Sequence, residues 1–212
     1  MKKKIFVISL AVAVLAIAII GGTLAWFTDE KEATNTFTVG DVSILLREPL
    51  WNGIDFDEEW EDVGYDPNRS PALGVDNAYN LVPGRLIGKD PQVKNDGKNA
   101  CYVRLVLTSD DITTAEMWNA VISEVIQNQD TTNWDWSVDG SSVYVSYNAV
   151  LEPEGTTGPA FTGLKIDENA TEADITSVFG GDGKLDLVVT AQAIQAEGFD
   201  GDSTAAWDAF EG

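Results

Sequence analysis

In most apolar stretches of this chain beyond residue 40, apolar residues recur at every second position, and that period confines the fold more than any other feature. In "CYVRLVLT", Cys101, Val103, Leu105 and Leu107 alternate with Tyr102, Arg104, Val106 and Thr108. This is the pattern of a half-buried β-strand. "TNTFTVGDVSILL" sets Phe37 and Val39 on one parity and Val42, Ile44 and Leu46 on the other. The switch at Gly40-Asp41 predicts a bulge or bend that keeps both sets turned inward. "SVYVSYNAVL" from Ser142, "FTGLKI" from Phe161 and "KLDLVVTAQAIQA" from Lys184 supply three more strands. The last puts Leu185, Leu187, Val189, Ala191 and Ala193 on one side, and its small residues predict a close neighbour across the sheet.

One stretch keeps helical spacing instead. "TTAEMWNAVISEVIQNQ" lines up Met117, Trp118, Val121, Ile122, Val125 and Ile126, which predicts an amphipathic helix over about residues 113–128 with Thr113 and Glu116 as a capping box. Its expected place is over an open end of the β-structure. Near the end, "STAAWDAF" offers Ser203 as an N-cap and Trp207 and Phe210 as one anchoring face. The fold class is therefore all-β with a minor helical part.

The first 25 residues belong to a different category. Lys2, Lys3 and Lys4 precede an apolar run from Ile5 to Ile20 broken only by Ser9, followed by Gly21-Gly22-Thr23-Leu24-Ala25. That order is the basic, apolar and small-residue sequence of a signal peptide, with a cut expected between Ala25 and Trp26. The Gly pair breaks helix, as a peptidase that needs extended backbone requires. The alternative is a retained membrane span, since roughly 20 apolar residues can cross a bilayer. The run before Gly21 is short for a span, and strand-like residues follow it rather than a stop-transfer cluster. In either case the bulk of the chain is expected to leave the cytoplasm. The division is a signal peptide at 1–25, an N-terminal segment at 26–40 and one β-domain at 41–212.

A chain bound for the outside with a single cysteine, Cys101, cannot form an internal disulfide. Its stability must come from packing or from partners, and Cys101 reads as a buried, unreactive thiol. Histidine is absent, which removes the commonest zinc ligand, the commonest general base and every Ser-His or Cys-His arrangement. Loss of the three leader lysines turns 13 basic against 35 acidic residues into 10 against 35, a net charge of about −25. Nucleic acid and anionic membrane surfaces are excluded as natural partners by that charge. The membrane contact expected is through the uncleaved signal peptide alone.

Residues 47–80 form a long excursion rich in Asp, Asn, Gly and Pro, expected to be a binding surface or poorly ordered. Within it Asp55, Asp57, Glu59 and Asp62 are candidate calcium ligands, because hard cations need several oxygens converging from a bendable loop. The spacing is not that of an EF-hand, and a solvated acidic loop is the competing reading. Trp51, Trp60, Trp134 and Trp136 would suit stacking on sugar rings if exposed, or a core if not. No phosphate-binding loop, dinucleotide fingerprint, HExxH or GxSxG motif occurs, so no catalytic residue is assigned and no enzyme is expected.

Two stretches carry a likeness. Gly21-Gly22-Thr23, Trp26-Phe27 and Thr28-Asp29, together with "NLVPGRLIGKDPQVKNDGKNACYVRLVL" from Asn80 to Leu107, resemble the TasA/CalY (camelysin) family of secreted proteins, released by a signal peptidase of the SipW type. The points of likeness in the second stretch are the Pro-Gly turn, Lys-x-Pro-x-Val-x-Asn from Lys89 to Asn95, and Tyr102-Val103-Arg104. "VVTAQAIQAEGF" is similar to the family's last strand. Residues 47–80 and Cys101 have no counterpart there. The resemblance implies a jelly-roll-like β-sandwich that polymerises into fibres of a biofilm matrix or cell surface. It also implies donor-strand complementation, in which the N-terminal segment of one subunit completes a sheet of the next, with Trp26, Phe27, Phe37 and Val39 as donor residues. Cleavage after Ala25 would free that segment. Expected partners are further copies of the chain, the signal peptidase and other matrix subunits; no cofactor is required, calcium being optional. The runner-up readings are an accessory or carbohydrate-binding matrix protein and, less favoured without histidine, a camelysin-like surface metallopeptidase.

Overall fold

The computed structural model describes residues 28–31, as backbone, and 42–79, 82–171 and 186–211. Its strands form three antiparallel sheets, and the all-β class with few short helices is what the alternating pattern implied. The largest sheet has the order β1-β10-β5-β8-β7: β1 Thr28–Lys31, β10 Val188–Gln195, β5 Cys101–Thr108, β8 Ser142–Tyr147 and β7 Trp134–Asp139. A two-stranded sheet pairs β2 Ile44–Arg47 with β4 Gln92–Asn95, and a third has the order β3 Leu86–Gly88, β9 Gly163–Lys165, β6 Ile126–Gln127. Gly40-Asp41, where the parity switch falls, lies outside the described residues. Val42 and Ile44 do turn inward, both fully buried.

The core sits between the large sheet and the two small ones. Cys101, Val103, Leu105 and Leu107 from β5, Ala191 and Ala193 from β10 and Val143 and Val145 from β8 meet Ile44, Val93, Ile87, Leu164 and Phe161. Asn95, the last residue of β4, is completely buried without cost. Its side-chain amide donates to the carbonyls of Asn99 and Leu151 at 2.9 Å each, and its Oδ1 accepts the Gly97 N–H at 2.9 Å. Both N–H groups and the oxygen of that amide are bonded, so a buried polar group ties three segments together.

Four local expectations are corrected. The helix at 113–128 is shorter: an α-helix, Ala115–Ala120, passes into a π-helical turn, Val121–Val125, and the chain then extends as β6. Pairing of Ile126 with Leu164 of β9 takes the last apolar residue of the stripe into a sheet. The cap is Thr114, extended at ψ 152°, whose hydroxyl accepts the Met117 N–H, and not Thr113. The inward stripe is as read, with Trp118, Val121, Val125 and Ile126 buried. At the C-terminus Asp202, not Ser203, caps the helix Ser203–Glu211, accepting the Ala205 N–H at 3.0 Å. Finally, β5 is buried on both faces rather than one. Its second face, Tyr102 and Arg104, lies under this C-terminal helix with Ile194, Ala206, Trp207 and Phe210.

The 47–80 excursion is folded in place. It holds α1, Pro49–Asn52, and α2, Gly74–Tyr79, and α2 rests on β3. A Cβ at Gly74 would overlap the carbonyl oxygen of Gly88 and meet the Trp51 Cα at 3.0 Å. Backbone is the obstacle, and it cannot swing aside as a side chain would. Gly74→Ala is therefore expected to lift α2 off β3. The check is limited proteolysis between residues 53 and 73, which should speed up while the melting temperature of the whole domain moves by only a degree or two.

Candidate assembly edge and the acidic excursion

β10 has β5 on one side and β1 on the other, with Thr28 opposite Ile194, Asp29 opposite Ala193, Glu30 opposite Gln192 and Lys31 opposite Ala191. The ladder to β1 spans four residues against eight on the β5 side. Without β1, the outer backbone groups of residues 191–194 would form an open edge in the middle of an otherwise complete strand, a template for any extended segment. Ala191 and Ala193, fully buried on the core face of β10, keep that edge low in profile. The four expected donor residues, Trp26, Phe27, Phe37 and Val39, and the Ala25–Trp26 bond lie outside the described residues.

The excursion is organised by one carboxylate. Asp76 accepts the N–H groups of Asp66 and Leu73 at 2.9 Å each and both oxygens receive Arg69 Nη1 at 2.8 Å; Arg69 Nη2 donates to the Gly64 carbonyl at 2.9 Å. Burial by itself would raise the Asp76 carboxyl, but the two backbone N–H groups and the guanidinium outweigh it and hold it below the usual carboxylate range. Around this hub Tyr65 and Tyr79 stack with ring centroids 4.0 Å apart, and Tyr79 is 72% exposed.

The calcium candidates do not converge. Asp55 Oδ1 accepts the Phe56 N–H at 2.7 Å, and the Asp55 N–H itself is bound by Glu58 Oε2 at 2.9 Å. Asp57, Glu59 and Asp62 are exposed to solvent. Among the described residues no three Cys, Asp or Glu side chains are grouped so as to hold a metal ion. Of the tryptophans, Trp134 is buried, Trp51 and Trp136 pack against the core, and Trp60 is half exposed with Arg47 5.6 Å from its ring centre. Burial pushes the Cys101 thiol up to about 12, with the Glu152 charge adding to it, so the thiol is inert at neutral pH.

A second charged cluster escaped the sequence reading. Lys89 Nζ stands 2.9 Å from both oxygens of Glu48 and 5.0 Å from the ring centre of Trp51. Asp90 is 5% exposed and accepts the Leu50 N–H at 2.7 Å and the Gln92 side-chain amide at 3.1 Å. Burial, helped by the charge of Glu48, pushes its carboxyl up to about 6 against the pull of those two hydrogen bonds. The sole hint in the sequence was a Lys-Asp pair placed between strand-forming residues, 41 positions from its partner.

A family model described as camelysin metallo-endopeptidase matches residues 1–51. The match supports the TasA/camelysin family. It takes in β1, all of β2 and the start of α1; the rest of the β-structure lies beyond the camelysin match. No curated protein and no solved structure matches the chain. The camelysin description names a metallo-endopeptidase, yet the chain has no histidine and, among the described residues, no three-ligand group for an ion. The residues present do not fit a zinc peptidase centre.

Proposed function

We propose that this chain is a secreted structural subunit of extracellular fibres, in a biofilm matrix or on the cell surface, whose N-terminal strand completes the sheet of the next copy. The observation that carries the reading is the pairing of residues 28–31 with the outer edge of β10. A strand held in its own subunit by four residues can leave and be replaced by the same four residues of a neighbour, in the same register. The hydrogen bonds lost and gained are identical, so exchange costs little beyond the entropy of association. Signal-peptide cleavage after Ala25 would release the segment from the membrane and so permit the exchange. The camelysin-family match over residues 1–51 is consistent with this role, and the missing histidines favour a structural subunit over a peptidase.

The test is the processed chain beside a variant lacking residues 26–36, each followed by size exclusion and negative-stain microscopy. The processed chain is expected to form high-mass filaments and the truncated one to stay at about the mass of one subunit. Filaments of normal appearance from the truncated chain would end the donor-strand reading.

A further inference from the structure

Glu48 follows β2 and Lys89 follows β3, so their contact closes the mouth of the 47–80 excursion. Both side chains are withdrawn from water, at 7% and 15% exposure for Lys89 and Glu48. Glu48 Oε2 accepts a hydrogen bond from Nζ, while Oε1 lies at the same 2.9 Å outside hydrogen-bonding geometry and is buried with no other partner. Equal distances to the two oxygens put Nζ roughly 3 Å from the carboxyl carbon, close enough for a bond to form once the amine turns onto the carboxyl face. The Trp51 ring closes one side of the amine. As an ion pair this contact is poor economy, because two desolvated charges repay their burial only when their remaining hydrogen-bonding positions are filled. Here one oxygen is left short.

We propose that Lys89 and Glu48 condense into an intramolecular amide, a covalent strap across the base of the excursion. The Lys89 Nζ to Glu48 Cδ bond forms, one Cδ–O bond breaks, and the two protons shed by the ammonium leave with that oxygen as water. No oxidation state changes and no co-reactant is consumed. Forming the amide removes both buried charges at once, and the enclosure that favours it also keeps water from reversing it. A strap of this kind takes the part that disulfides take in other exported proteins, which a chain with one cysteine cannot use.

The measurement is the intact mass of the processed chain recovered from the medium of a host expressing the full sequence, denatured, with its N-terminus read from the same sample. The expected mass is about 18 Da below that of the sequence, one water lost. Trypsin should release a branched peptide joining residues 48–69 to 86–94, with Lys89 uncut. Lys89→Arg, which keeps the charge, should restore the full mass and lower the melting temperature on the order of 10 °C, as expected for opening a closed loop of this length. An unreduced mass with Lys89 cleaved normally, or a water lost at another position, overturns the proposal and leaves an ion pair only. Fibre formation is not the readout, so failure of the strap and failure of the donor-strand reading are separate outcomes.

Discussion

Arg104→Ala is expected to cost about 3–4 kcal/mol of unfolding free energy, and to free the C-terminal helix before the rest of the domain gives way. The guanidinium is 5% exposed in the middle of the large sheet's outer face. Its Nε donates to Gln192 Oε1 at 2.7 Å, and its Cζ lies 4.3 Å from the centre of the Trp207 ring, 4.7 Å from that of Tyr144 and 5.3 Å from that of Phe210. Each desolvated cation–ring contact contributes up to about 2 kcal/mol, and a buried charge-assisted hydrogen bond about as much. The pair with Glu211 at 2.8 Å adds little, because that carboxylate is 57% exposed and screened. Removing the side chain opens a hole between β5 and the helix and takes away the group that Trp207 and Phe210 grip. Tyr102 and Ile194 would then meet water. Urea unfolding gives the loss, and hydrogen exchange of residues 203–211 should reach the rate of a free segment. Arg104→Lys should recover less than half, since a point charge cannot lie flat between rings while holding Gln192. Protection of the helix unchanged in Arg104→Ala would mean that the apolar contacts alone hold it.

The same arginine marks the limit of what the sequence disclosed. Its strand was legible, because alternation over eight residues fits few conformations besides a strand, and the inward set Cys101, Val103, Leu105 and Leu107 lies fully buried in the main core. The burial of the opposite face was not, because its cover comes from residues a hundred positions later and a short amphipathic helix does not announce which surface it will meet. In the helix after Thr114 the inward stripe held as far as Val125, although the backbone widens into a π turn from Val121; pairing with β9 then overrode local spacing at Ile126. Trp134 and Trp136 already alternated with Asp135 and Ser137, the signature of the β7 strand, but isolated tryptophans invite a binding reading before a structural one. The excursion failed for a different reason. Its order rests on Asp76, one acid among many, and nothing in composition distinguishes a carboxylate that gathers several donors from those left in solvent. The proposed donor segment is the reverse case, prominent in the sequence and described by the structure only at residues 28–31.

The second large effect concerns Asp90 and its sign is fixed by burial. Its carboxyl titrates near 6 when folded against 3.8 as a free side chain. The folded chain thus binds a proton more tightly than the unfolded one, and the stability linked to this group is fully present below about pH 3.8 and lost as pH rises through about 6. Above pH 7 the folded domain carries a buried, ionised carboxylate that also feels the negative charge of Glu48. The shift corresponds to about 2–3 kcal/mol at pH 8. Asp90→Asn is uncharged at every pH, can still accept the Leu50 N–H, and can satisfy its new amide by a rotation of the Gln92 side chain. It is therefore expected to be more stable than the parent at pH 8, by an amount that shrinks through pH 6 and vanishes near pH 4. Carrying Lys89→Arg in both chains keeps the pair with Glu48 ionic in each, so that the comparison reads Asp90 alone. Melting curves of the two chains from pH 4 to 8 give the difference directly, and the acidic remainder of the protein, common to both, cancels. A gap that stayed constant with pH would mean that the substitution acts through packing at the foot of α1. A gap that widened toward acid would place the folded Asp90 below its free value, and would make its hydrogen bonds to Leu50 and Gln92, rather than its burial, the dominant influence on that carboxylate.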